Sequence, residues 1–189
     1  MATMPPLDAA WRARQRHQPF FCEENVLQLL HCPDLPERRS VVFVSNAART
    51  VAMWGQRAAV RDPIVWDYHV VLLLPTEGLI VDLDDREQVA WPVREWLAHA
   101  FRGDVEEEFR PRFRVVDGVE FRSVFSSDRS HMRDGRGRPL QPFPDWPAPF
   151  DPARGRNLLR FVDLDDAIAG VVVDAAGLLR FCAAQHGTS

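Results

Sequence analysis

Three side chains in this sequence have the types needed for nucleophilic acyl chemistry: Cys22, His69 and Asp82. Cys22 opens a run in which Val26, Leu29 and Leu30 recur at the i, i+3, i+4 spacing of an amphipathic helix, and Pro33 halts it. A cysteine at a helix start meets unpaired backbone N–H groups and the positive end of the dipole. That setting lowers a thiol pKa and supplies a nucleophilic thiolate. Taken alone, Cys22 is more simply read as a small core hydrophobe.

His69 and Asp82 change the balance. Each interrupts a strand-like run, Ile64 to Leu74 and Leu79 to Asp84, where apolar residues are expected. Ionisable groups seldom occupy such positions without a partner. Folding the two runs into an antiparallel hairpin with a two-residue turn at Pro75-Thr76 sets His69 opposite Asp82, within side-chain reach. A slip of one residue sends them to opposite faces. In the productive register Asp82 accepts from one ring nitrogen of His69 and leaves the other facing a nucleophile. With Cys22 across the sheet edge, the three make a Cys-His-Asp arrangement. The plain alternative is a core histidine satisfied by a nearby carboxylate.

The elements that must hold these residues are legible in outline. Residues 7–16 suggest a short helix that docks Trp11, and the helix at Cys22 follows. Val41 to Val44 reads as a buried strand, with Val51 to Trp54 as its return. Residues 91–102 carry the apolar stripe Val93, Trp96, Leu97, Ala100, Phe101, with Pro92 at the first helical position and Gly103 as the stop. Asp104 and Glu107 suggest a capping pair for a further short helix that Pro111 closes. Phe113 to Val116, Asp117-Gly118 and Val119 to Phe125 have the pattern of a hairpin with a two-residue turn. Ser126 to Asn157 is proline-dense and predicts a long loop, either a lid or a packed crossover. Val171 to Val173 is a strand, and Asp174 caps a last helix with Leu178, Phe181 and Cys182 inward. Strands and helices mix without a βαβ rhythm, so the expected class is α+β in one domain, residues 1–189.

Composition bounds the function. The chain has 189 residues, 46% hydrophobic and 26% charged, as an ordinary globular domain does. Every basic residue is arginine, so lysine-dependent catalysis and a P-loop are excluded. The net charge of −4 argues against general nucleic-acid binding. Three cysteines, an odd number, fit a reducing compartment better than a disulfide framework. Met1 to Pro19 lacks a signal-peptide core and no segment has the length of a membrane span, so a cytoplasmic protein is expected, and with no self-complementary stripe in the sequence a monomer is expected.

Other candidates carry less. Glu23, Glu24, Asp67 and Asp128 could receive a cationic substrate group, although each type is more often solvated or capping. His131 lies in a loop. Arg129, Arg133, Arg136 and Arg138 near Phe143 and Trp146 mimic a single-strand-binding surface, against the acidic total. No pattern of metal-ligand spacing appears, and no cofactor is expected.

At this point the residues resemble the protein N-terminal glutamine amidohydrolase family, cysteine hydrolases with a papain- or transglutaminase-like fold. The words that carry the resemblance are Cys22-Glu23-Glu24-Asn25, Val42-Phe43-Val44-Ser45-Asn46, Val65-Trp66-Asp67-Tyr68-His69 and Val81-Asp82-Leu83-Asp84, followed by Ser127-Asp128-Arg129-Ser130-His131-Met132. The likeness runs in order from Phe21 to near the C-terminus and departs before Cys22 and after Asp134. It implies Cys22 as nucleophile, His69 as general base and acid, and Asp82 as the orienting carboxylate, with Asp84 the rival for that third role. It implies protein or peptide substrates that begin with a free glutamine, whose α-ammonium must be sensed by a carboxylate. Asp67, Glu23 and Glu24 are the candidates for that, with Trp66 and Asp128 nearby in the matching words. In the family the glutamate product is a step toward an N-degron. A transglutaminase, a cysteine peptidase and a silent N-terminus-binding module are the rival readings.

Overall fold

The computed structural model describes residues 4–186. A short helix α1 (Ala9–Ala13), capped by the Asp8 carboxylate, buries Trp11 completely. Helix α2 (Cys22–Leu29) follows, and strand β1 (Ser40–Ser45) lies at the centre of what comes next. Strands β2 (Val51–Met53) and β3 (Ile64–Trp66) pair with each other in a small separate sheet. Val51 to Met53 is therefore not the return strand of β1, as the pattern suggested; β1 has its two neighbours elsewhere.

Strands β4 (His69–Leu74), β5 (Leu79–Val81) and β6 (Ala90–Pro92) lead into helix α3 (Val93–Ala100). After β7 (Arg112–Asp117) come helices α4 (Gly118–Val124) and α5 (Leu158–Val162), then β8 (Val171–Val173) and helix α6 (Ala175–His186). The main sheet has the order β6-β5-β4-β1-β7-β8 and all its pairs are antiparallel. The α+β class and the central antiparallel sheet are as expected.

Alternation along β1 and β4 divides the core in two. Val41, Phe43, Val70 and Leu72 face α2, α4 and α5, where Phe43 stacks on Phe161 at 5.3 Å. Val42, Val44, Val71 and Leu73 face α3 and α6, against Trp96, Phe113 and Leu178. Such strands carry apolar residues at every position because both faces are covered.

Four local expectations give way to tertiary constraints. The run Ile64 to Leu74 is not one strand: the chain breaks at Asp67-Tyr68, where Asp67 Oδ1 accepts the Tyr68 N–H (2.9 Å) and the Asp67 carbonyl accepts from Ser45 Oγ (2.8 Å). The first residues of the 91–102 stripe, Trp91 and Pro92, belong to β6, and the helix begins only at Val93. A single 3-10 turn, Glu107–Phe109, stands where a short helix was expected. Asp117-Gly118 is a helix start and not a hairpin turn. Asp117 Oδ1 accepts the N–H groups of Val119 (2.8 Å) and Glu120 (3.1 Å), and a Cβ on Gly118 would lie 2.8 Å from the Arg39 carbonyl oxygen. Glycine is there for close approach of two backbones, while a hairpin would have needed it for a turn.

Two buried or half-buried arginines tie loops to this frame through carbonyl oxygens. Arg39 donates to Leu29, Leu30, Cys32 and Leu35, gathering the orphan carbonyls at the C-terminal end of α2. Arg114, on β7, donates to Phe161, Asp163, Asp166 and Ala169 and fastens the chain between α5 and β8.

Candidate active site

Cys22 is the first residue of α2, and the segment ahead of it is clamped. Asn25 Oδ1 accepts the Gln18 N–H (2.8 Å), and Asn25 Nδ2 donates to the Gln18 carbonyl (2.9 Å). Phe20, at φ 69°, turns the chain into the helix in a left-handed conformation that a bulky residue adopts only when its surroundings enforce it. The thiol is therefore delivered to a fixed place over the start of β4, where the Val70 backbone N–H favours its ionised form.

His69 opens β4 and Asp82 directly follows β5. The β4–β5 ladder pairs Leu74 with Leu79, Leu73 with Ile80 and Leu72 with Val81. The turn is thus Pro75 to Gly78, two residues longer than the one considered above, and the register moves by two. A shift of two keeps the face, so Asp82 meets His69 on the diagonal. His69 Nε2 lies 3.0 Å from Asp82 Oδ1, and both side chains are buried. Asp82 also accepts from Gln56 Nε2 on Oδ2 (3.1 Å) and from the Asp84 N–H on Oδ1 (3.0 Å). With Nε2 engaged, Nδ1 is the ring nitrogen left for another partner. Trp66 stacks on the imidazole at 6.0 Å and restricts its rotation.

Cys22, His69, Trp66, Asp67 and Tyr68 line one cavity of about 580 Å³, together with His17, Phe20, Asp84, His131, Met132 and Leu140. The rival carboxylate Asp84 is held by His17 Nε2 at 2.8 Å. One ligand atom each from His69, Asp82 and Asp84 lies within 4.8 Å of the others, but the hydrogen bonds just described already occupy these groups.

The electrostatics correct one expectation. Burial pushes the Cys22 thiol well above its usual pKa, and the charges of Glu23 and Asp84 push it further. The helix end does not overcome these effects because the thiol is largely buried and lies near two carboxylates. Burial pulls His69 down, but the Asp82 charge and hydrogen bond more than offset it, and the net direction is upward. Burial pushes the Asp82 carboxyl up, yet His69, Gln56 and the Asp84 N–H together hold it below the usual range.

The remaining candidates separate clearly. Glu24 is buried, with Oε1 and Oε2 each 2.7 Å from the Arg129 guanidinium and Oε2 also 2.8 Å from Trp146 Nε1. Asp128 accepts from the Ser130 N–H, pairs with Arg156 at 3.4 Å and lies outside the cavity lining. Asp67 is exposed at the cavity wall. Glu23 is fully buried behind that wall: Oε2 accepts from the Tyr68 hydroxyl (3.2 Å) and lies 3.7 Å from the Cys22 sulfur.

The 126–157 segment is a packed crossover anchored by Arg129 and Trp146 on the first turn of α2. Arg129 and Arg133 lie 5.6 and 4.7 Å over Phe143, so these two arginines pack on an aromatic ring of their own chain, while Arg136 and Arg138 are exposed. Cys32 and Cys182 are buried and unpaired. Sequence reasoning missed Gln56, His17 and Tyr68. Gln56 bonds Asp82 from a loop with no distinguishing pattern, and only the Asp82 run it packs against marks it.

A buried histidine steadied by a carboxylate, sharing a cleft with a cysteine at a helix start, is an arrangement capable of cysteine-dependent acyl transfer. The model of the N-terminal glutamine amidase family matches residues 17–182, and the chain belongs to that family. It is 33% identical over 175 residues to the protein N-terminal glutamine amidohydrolase of Bos taurus, covering 87% of this chain and 82% of that protein. The Homo sapiens protein of the same name is also 33% identical, with 87% and 83% covered. That of Caenorhabditis elegans is 30% identical over 83% of this chain and 89% of its own length.

Proposed function

We propose that this protein hydrolyses the side-chain amide of an N-terminal glutamine, giving N-terminal glutamate and ammonia. Family membership and the names of its relatives support the reaction. The observation that carries the residue roles is His69 bonded to Asp82 while sharing one cavity with Cys22. We read the sheet, with Cys22 at the start of the helix packed on it, as a papain- or transglutaminase-like arrangement.

Cys22 is the nucleophile. As its sulfur attacks the glutamine Cδ, its proton passes to His69 Nδ1, and the imidazolium that results is stabilised by Asp82. Backbone N–H groups at the start of α2 hold the developing oxyanion. His69 returns the proton to the departing ammonia, leaving a thioester on Cys22. Water then attacks the thioester, its proton going to His69 and on to the sulfur as glutamate leaves. A thiol held protonated until substrate arrives is consistent with this order, because His69 takes the proton during attack.

The substrates are proteins or peptides with a free N-terminal glutamine. Three unpaired cysteines suit a reducing compartment such as the cytoplasm, and the protein is proposed to act as a monomer. No helix among the described residues is long and apolar enough to cross a membrane. The test is mass spectrometry of a glutamine-initiated peptide, with ammonia measured in parallel. Deamidation by the wild type and none above background by Cys22→Ala is expected; retained ammonia release by Cys22→Ala refutes the mechanism.

A further inference from the structure

Glutamine side chains are common on protein surfaces, so a terminal one is told apart only by its α-ammonium. A receptor for that group must offer negative charge out of water, because exposed carboxylates are screened and discriminate poorly. Among the carboxylates at this site, Glu24 has both oxygens taken by Arg129, and Asp84 is held by His17. Asp67 is exposed and spends one oxygen on the Tyr68 N–H. Glu23 differs from all of these.

Glu23 is fully buried, and its Oε1 has no hydrogen-bond donor. His131 Nε2 stands 3.4 Å from that oxygen, close enough for an ion pair but outside hydrogen-bonding geometry. A buried carboxylate oxygen without a donor is costly and calls for an explanation. The groups around it, Cys22, Tyr68 and His131, all line the cavity. The carboxylate thus lies one side chain behind the wall, and its Oε2 is 3.7 Å from the Cys22 sulfur. In an extended glutamine the α-nitrogen is four bonds from Cδ, about 5 Å away on standard bond lengths. A substrate with Cδ at the sulfur can therefore bring its ammonium to Glu23.

We propose that Glu23 is the receptor for the substrate α-ammonium, which takes the place of His131 at Oε1 while the Tyr68 hydroxyl holds Oε2. This rests on the amidohydrolase reading and adds its specificity determinant. The arrangement has a second consequence. The Glu23 charge that receives the ammonium also opposes ionisation of Cys22, so a bound ammonium removes that opposition. A free N-terminus then both fits the site and readies the thiol, while internal glutamines do neither.

The test uses binding, so that it does not depend on turnover. In a Cys22→Ala background, calorimetry compares a glutamine-initiated peptide with its desamino analogue, which lacks only the α-nitrogen. Adding Glu23→Gln is expected to weaken the free-amine peptide roughly ten- to a hundredfold, the range for losing a charged hydrogen bond, and to leave the desamino peptide unchanged. Equal loss for both peptides, or no loss for either, overturns the proposal. Should Glu23→Gln not fold, Tyr68→Phe, which keeps the ring and removes the hydroxyl that steadies Glu23, is expected to shift the same ratio in the same direction. An unchanged ratio in that variant counts against the proposal equally. A wild type that releases no ammonia from the glutamine peptide would instead refute the underlying reaction, a separate outcome.

Discussion

Replacing Asp82 by asparagine isolates the role of its charge. The Asp82 carboxylate has donors on both oxygens: His69 Nε2 and the Asp84 N–H on Oδ1, and Gln56 Nε2 on Oδ2. An asparagine that keeps its oxygen toward His69 and Asp84 turns an NH₂ toward Gln56. The Gln56 amide can rotate to meet it, presenting Oε1, which is buried and has no donor in the wild type. The fold should thus tolerate the change to within about 1 kcal/mol, the size of one neutral hydrogen bond. The charge is not replaced. Two unit charges about 4 Å apart interact by about 4 kcal/mol at an effective dielectric near 20, equivalent to roughly three pKa units as an upper limit.

The sign follows from His69, whose pKa is raised in the wild type. As a base it loses function when pH falls through that raised value, so removing the Asp82 charge moves the acid limb of the rate profile to lower pH. At the same time the imidazolium formed during attack is less stable, and kcat should fall roughly 10²- to 10⁴-fold. The assay is ammonia release across pH 5 to 9, with circular dichroism and thermal melting as controls for folding. A folded Asp82→Asn variant with kcat within threefold of wild type and an unmoved acid limb would refute the assignment of Asp82.

Two further outcomes are expected. Arg129→Met leaves Glu24 charged and buried without its bidentate partner, and should cost about 3–5 kcal/mol in a denaturant titration; a loss under 1 kcal/mol would mean the crossover is not anchored there. Glu23→Gln removes a charge that pushes the Cys22 thiol up, so its iodoacetamide alkylation should accelerate near neutral pH and titrate at lower pH while deamidation of the glutamine peptide slows. Alkylation that keeps the wild-type pH profile would show that Glu23 does not act on the thiol.

The site candidates could be picked out before any fold was known because polar residues in apolar runs are expensive. His69 and Asp82 stand out as ionisable residues in apolar strand-like runs, and Cys22, by itself read as a core residue, gains weight from them by opening a periodic helix. Local patterns failed where one motif serves two structures. Asp117-Gly118 satisfies a hairpin and a helix cap equally well, and only the close approach of the Arg39 backbone, just ahead of β1, to Gly118 decides between them. The break at Asp67-Tyr68 is equally invisible, since the Ser45 hydroxyl that holds it comes from a distant strand. The four-residue turn after β4 altered the register by two, and the pairing survived because side-chain direction in a strand has period two.

Residue type and periodicity by themselves determined an α+β class without lysine chemistry, and singled out a cysteine, a histidine and a carboxylate as the candidates for its chemistry. Those follow from local physics: which side chains ionise, and which spacing buries one face. The tertiary structure alone decided which carboxylates are available, closing Glu24 with Arg129 and Asp84 with His17 while leaving a Glu23 oxygen without a donor. It also reversed the direction of the Cys22 pKa. Both depend on burial and on charges brought together from distant parts of the chain, and neither quantity is defined until the chain has folded.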